Sequence, residues 1–158
     1  MKIESNLGTT LLSIRNSFVN ELPIVTEKAL RMAANDGLVL IQDRVQQRGE
    51  SLSGRMQTKS NKRFGSYSKQ WGGFRNKKGY QTSFIDWTVD GDLWRSWQVL
   101  YSDSKIAEIG FMDDKQADIA RYLEDYFGKT IGFTKDEENT VIETFNSEIE
   151  VNFVKKIS

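Results

Sequence analysis

The chain has 158 residues, with 22 basic and 22 acidic side chains and no formal net charge. It is long enough for one domain with a real core, and no apolar run approaches the ~20 residues of a membrane span. It holds neither cysteine nor histidine, which excludes disulfides, thiolate metal sites and Ser-His-Asp or Cys-His nucleophile systems, and removes the residue most used for proton transfer near neutral pH.

Met1-Lys2-Ile3-Glu4 lacks the basic-then-apolar order of an export signal, so export by that route is not expected, and the absence of cysteine fits synthesis in the cytoplasm. Thr9 to Leu22 reads as a first helix, with Leu11, Leu12, Ile14, Phe18, Val19 and Leu22 on a broad apolar face. Pro23 places a break or kink there, because proline belongs in the first turn of a new helix. Ile24 to Gln47 carries a second helical stripe through Leu30, Ala33, Ala34, Leu38, Ile41 and Val45. Gly37 interrupts it, which marks close packing or a bend, and Gly49 is the expected stop. Arg48 to Tyr80 then loses all apolar periodicity. It is a long basic loop or arm within the single domain 1–158, or a hairpin arm with strands near Arg63–Tyr67 and Gly79–Phe84.

Strand character returns at Phe84–Val89, where Phe84, Trp87 and Val89 stand out. Asp90-Gly91-Asp92 is a turn. Leu93–Tyr101 and Lys105–Phe111 follow as strands, with the clearest alternation from Trp97 to Tyr101. Ala117–Phe127 has helical spacing and stops at Gly128. Lys135-Asp136-Glu137-Glu138 opens a C-terminal helix striped by Val141, Ile142, Phe145, Ile149 and Phe153. The expected fold is therefore α+β, with N-terminal helices packed on a small antiparallel sheet, a long basic loop or arm, and a C-terminal helix. Its expected core includes Trp87, Leu93, Trp97, Val99, Ile109 and Leu123.

Charge is separated along the chain. Residues 48–80 hold nine basic side chains against Glu50 alone, a net of +8, whereas 113–158 hold eleven acidic and six basic ones, a net of −5. Five aromatic residues, Phe64, Tyr67, Trp71, Phe74 and Tyr80, are interleaved with the cations. Three readings stay open. The segment is a nucleic-acid-facing loop, a subunit-docking arm that meets acidic surface on a neighbour, or a solvated loop. The aromatic content favours the first two, and the residues expected to face protein or DNA are Arg55, Lys62, Arg63, Phe64, Tyr67, Trp71, Phe74, Arg75, Lys77 and Lys78.

Little in the sequence carries catalysis. Asp114 and Asp118, at i,i+4 on the expected helix, could hold Mg²⁺ as in a nuclease. An acidic helix start balanced by Lys115 and Arg121 explains the same residues and is preferred. No glycine pattern cradles a phosphate. Trp87, Trp94 and Trp97 could stack a ligand, but packing is the preferred role. No cofactor, no metal and no enzymatic activity are expected.

The stretch from Asp90 to Thr134 resembles the virion-morphogenesis, or head–tail joining, family of neck and tail-completion proteins of tailed bacteriophages. That family has a TG-x-L-x-x-S element opening a strand, a second strand ending in IG, and an A-x-Y…G segment. The matching residues here are Gly91, Leu93, Ser96, Ile109, Gly110, Ala120, Tyr122 and Gly128. The resemblance covers about the last 70 residues. It implies a structural protein of the virion neck or tail, made in the host cytoplasm, that forms a homo-oligomeric ring joining head connector to tail. Its implied partners are further copies of itself and neighbouring connector and tail proteins, with DNA in the channel left open and no membrane. A nucleic-acid-binding protein or metal-dependent nuclease using residues 48–80 is the alternative.

Overall fold

The computed structural model describes residues 7–56 and 67–155. Residues 57–66, including Lys62, Arg63 and Phe64, lie outside the described part, so the strand expected near Arg63–Tyr67 is not addressed there. The fold is α+β, with a long N-terminal helical run, a C-terminal helix and two small antiparallel sheets. Among the described residues no helix is long and apolar enough to cross a membrane.

Helix α1 (Leu7–Asn16) continues into α2 (Leu22–Asp43) through a π-helical turn at Ser17–Glu21. The expected break at Pro23 is thus a change of hydrogen-bond register, not an interruption. Leu22 donates its N–H five residues back, to Ser17, and Pro23, which has no N–H, falls in the first turn of α2 where none is needed. A second π turn, Arg44–Arg48, ends at Gly49, whose φ of 67° is left-handed. A Cβ on Gly49 would also stand 2.8 Å from Phe84.

The buried face of α2 is built of small residues, Ala29, Ala33, Ala34 and Gly37, before it widens to Ile41. That face receives α6 (Lys135–Ile149), which ends in a π turn at Glu150–Val154. Gly37 is a close approach and not a bend: a Cβ there would meet the Phe133 ring at 2.7 Å. The start of α6 is closed by a capping box between Thr134 and Glu137. Glu137 also takes the Arg44 guanidinium at 2.7 Å, with both side chains buried. Arg44 donates further to the carbonyls of Glu50, Thr130 and Gly132. One guanidinium therefore ties the end of the N-terminal helical run to Glu50, to the turn at 128–132 and to α6. Burial works against the Glu137 carboxylate, but the Thr134 N–H and Arg44 outweigh it and hold its pKa below the usual glutamate value.

After Gly49 a minimal hairpin pairs β1 (Glu50–Ser51) with β2 (Gly54–Arg55) and delivers Met56 into the core. Helix α3 (Lys69–Lys77) follows, in a stretch expected to be irregular. Ser68 caps it, accepting from the Trp71 N–H, and Arg75 and Lys77 sit at its carbonyl end. Its inward residue is an arginine and not an aliphatic side chain, so no apolar period announces it.

Three strands were expected to form one sheet, and two do. Phe84–Val89 is not a strand. Side chains take the place of a ladder there: Gln81 Oε1 accepts from the N–H of Ser83 and Phe84, and Asp86 Oδ1 accepts from that of Thr88. Trp87 sits at φ 53°, which a strand cannot include. Gly79–Phe84 is likewise irregular. The first part of Leu93–Tyr101 is a helical turn, α4 (Asp92–Arg95), entered through Gly91 at φ 85°. Strand β3 (Trp97–Ser102) then pairs with β4 (Ala107–Phe111), with Trp97 opposite Phe111 and a bulge between Val99 and Tyr101. Helix α5 (Asp114–Phe127) begins earlier than expected because Asp113 caps it, accepting from the Lys115 N–H at 2.7 Å.

The core gathers Ile41, Val45, Met56, Ile85, Trp87, Leu93, Trp94, Trp97 and Ala120. Trp97 lies against Phe111, ring centroids 4.9 Å apart, and donates its indole N–H to the Leu38 carbonyl. Ile109 and Leu123 are half-buried against this cluster. Val99 is the exception among the expected core residues: it shares the Trp97 side of β3, but a sheet of two strands leaves it half-exposed outside the cluster.

Candidate functional site

The basic, aromatic segment is organised around Arg75, which the structure moves from the surface to the interior. Its side chain is 1% exposed. Nη2 donates to Asp86 Oδ2 at 2.9 Å, Nε donates to the Gln81 carbonyl at 2.8 Å, and Nη1 donates to the Thr88 carbonyl. The guanidinium carbon lies 4.3 Å from the centre of the Tyr67 ring, a cation–π contact. Tyr67 is also drawn inward: its hydroxyl donates to Asp86 Oδ1 at 2.6 Å and accepts the Asp86 N–H at 3.0 Å. Burial, and then the bond to Asp86, push the Tyr67 pKa well above that of an ordinary phenol, so it remains a donor. Neither Arg75 nor Tyr67 is free to meet DNA or a partner. The reason is Asp86, the first carboxylate after Glu50 along the chain, which binds both side chains.

This network clamps α3 to the irregular stretch before α4, and it fixes the unusual backbone at Trp87. The Trp87 indole N–H is buried with no hydrogen-bond partner among the described residues. Between α3, residues 85–93 and α5 lies an open cavity of ≈ 670 Å³, walled by Trp71, Trp87, Ile119, Tyr122, Leu123 and Tyr126. Its lining mixes aromatic and aliphatic side chains with the charged Arg75, Asp90, Asp92 and Lys115. Tyr122 is 70% exposed at its edge.

Beside the buried Arg75, α3 carries Trp71 and Phe74, both partly exposed and stacked on each other with centroids 5.0 Å apart, and Trp71 also walls the cavity. Lys77 and Lys78 follow Phe74 by three and four residues on the same side, and both are exposed. Arg55 is exposed on β2 and donates to the Ser83 carbonyl. Of the ten residues expected to face a partner, these five keep an outward position, Tyr67 and Arg75 do not, and Lys62, Arg63 and Phe64 lie outside the described residues.

A second surface was not expected. Leu11, Leu12, Ile14 and Val19, read as the buried face of a first helix, are all exposed, as is Ile24 at 70%. Phe18 meets Phe153 edge-on at 5.3 Å, and α1 otherwise projects past the core. The apolar period was legible in the sequence, but among the described residues nothing covers it. Trp87, Trp94 and Trp97 are buried, and Trp94 stacks on Trp87. Asp118 pairs with Arg121 at 3.0 Å on the exposed side of α5. Among the described residues no three His, Cys, Asp or Glu side chains converge where they could hold a metal ion. The chain matches no known protein-family model, no curated protein and no solved structure.

Proposed function

We propose that the protein is a structural component of a tailed-phage particle, a ring-forming neck or tail-completion subunit that joins the head connector to the tail. Catalysis plays no part in this role; interfaces do the work. The observation that carries the reading is the exposed apolar surface of the N-terminal helical run, Leu11, Leu12, Ile14, Val19 and Ile24. Several large apolar side chains left exposed on one helical run of a folded chain point to a protein interface. Further support comes from the residues that carry the family resemblance, most of which have distinct mechanical roles. Gly91 allows the left-handed entry to α4, Leu93 and Ala120 are buried, and Ser96 accepts the Asp113 N–H with its hydroxyl, coupling α4 to the start of α5. Gly110 gives room to Leu100, whose Cδ1 would lie 2.7 Å from a Cβ there, and Gly128 ends α5 at φ 105°.

The test is the state of the purified protein. Sedimentation velocity with negative-stain electron microscopy should show closed annular assemblies of one size. A strict monomer that shifts an oligonucleotide would instead support the nucleic-acid-binding alternative, favoured by the exposed Trp71–Phe74 pair and the absence of any carboxylate from Ser51 to Ile85.

A further inference from the structure

We propose that the basic, aromatic face of α3 in one copy of the chain docks on the acidic outer face of α6 in the next copy. The inference rests on the ring reading above and names the contact that would build the ring. Each face has an apolar centre and a charged rim, and the two rims have opposite sign. On α3 the centre is the stacked Trp71–Phe74 pair, 40% and 38% exposed, and the rim is Lys77 and Lys78. On α6 the centre is Ile142, 47% exposed, with Glu138 one turn before it and Glu143 directly after it. Among the described residues Lys77, Lys78 and Glu143 form no ion pair, and Glu138 meets only the exposed Lys135.

Among the described residues neither face is fully covered: Trp71 also walls the cavity, yet it, Phe74 and Ile142 stay exposed. The opposite side of α6 packs on α2, and α3 is held from behind by the Arg75–Asp86 pair. The helix dipole accounts for cations at the end of α3 and for the acidic first turn of α6. It does not account for large apolar side chains left uncovered at the centre of both. An aromatic anchor surrounded by charge is the arrangement expected at the middle of a protein interface.

A nucleic acid would satisfy only one of the two faces. Phosphates would pair with Lys77 and Lys78 and leave the α6 carboxylates and Ile142 uncovered. Trp71 and Phe74 are already stacked face to face at 17° between planes, so they are not splayed to receive bases. A second copy covers both faces at once. Because the two patches are different, repeating the contact runs head to tail, which closes a ring when the rotation closes.

Charge reversal tests the contact. Three proteins are compared with wild type by sedimentation velocity: Lys77→Glu with Lys78→Glu, Glu138→Lys with Glu143→Lys, and all four changes in one chain. Each double variant should lose the assembled species while its far-UV circular dichroism and thermal unfolding stay those of wild type. The fourfold variant should assemble again, a recovery that damage to the fold cannot produce. Raised salt should weaken assembly in both proteins that form it. If wild type assembles and the double variants assemble equally well, the ring stands and this contact is wrong. Failure of the fourfold variant to recover would also overturn it. If wild type is monomeric, the ring reading itself falls and takes this contact with it. Loss of salt-sensitive binding to a single-stranded oligonucleotide in the Lys77→Glu, Lys78→Glu protein, with assembly unchanged, would assign the α3 face to nucleic acid.

Discussion

Arg75→Ala separates a buried structural arginine from a surface contact more cleanly than any other single change. The substitution removes three donated hydrogen bonds and the contact with the Tyr67 ring, and it leaves Asp86, 5% exposed, without its cation. Tyr67 and the Thr88 N–H still donate to that carboxylate, so part of its solvation remains. Removing one partner of a buried ion pair costs about 3–5 kcal/mol, because the other charge stays in a poorly solvated site. That is a large share of the roughly 5–15 kcal/mol that holds a domain folded. Urea unfolding followed by tryptophan fluorescence reads the loss directly, as a lowered midpoint at unchanged slope. Adding Asp86→Asn should recover part of it, since the orphaned charge goes with it, and the coupling between two such neighbours is typically about 0.5–3 kcal/mol. A surface arginine would change stability by no more than ~0.5 kcal/mol. A result in that range for Arg75→Ala would refute the interior placement and return the residue to the partner-facing set.

Trp97→Ala should cost about 3–5 kcal/mol in the same assay, for lost core contacts and the cavity left against Phe111; an unchanged midpoint would mean the core is elsewhere. Gly49→Ala and Gly79→Ala form a matched pair, since both glycines have positive φ but only Gly49 has a neighbour, Phe84, within 2.8 Å of the added Cβ. Gly79→Ala should cost about 1–2 kcal/mol from the backbone alone and Gly49→Ala distinctly more; equal losses would contradict the packing of Phe84 on Gly49. Glu137 has a pKa lowered in the folded state, so its contribution to stability is complete above the ordinary glutamate range and is lost as pH falls through the depressed value. Glu137→Gln should therefore be less stable than wild type at neutral pH and approach it in acid; parallel pH profiles would show that the Arg44 pair does not act this way.

The sequence was legible where local chemistry decides structure. The stripe of α2, the stops at Gly49 and Gly128, the Trp97–Tyr101 alternation and the acidic start of α6 each rest on residues within a turn or two of one another. It was not legible where a distant partner decides. Arg75 reads as one more cation in a basic run until Asp86, eleven residues on, is seen beneath it. Arg44 and Glu137 are 93 residues apart and look like ordinary surface charges. Helix α3 was missed for the same reason, since its buried face is a guanidinium and two glycines weaken its pattern. Phe84–Val89 has the composition of a strand, yet Gln81 and Asp86 side-chain oxygens accept the backbone N–H groups that a ladder would engage, and Trp87 turns the chain out of extended geometry. The candidate interface was half legible. Trp71, Phe74, Lys77 and Lys78 were singled out from the sequence and are exposed, while the bare apolar surface of the N-terminal helical run became visible only when the fold left it uncovered.

The most direct test of a role in the particle is the particle itself. Tailed virions purified from cells that make this protein, freed of unassembled material and examined by quantitative mass spectrometry and electron microscopy, should contain it in several copies per particle at the neck or tail. Particles made when the chain carries the Lys77→Glu and Lys78→Glu changes should lack it and fail to join heads to tails. Infectious, fully joined virions that contain none of the protein would contradict a structural role at that junction.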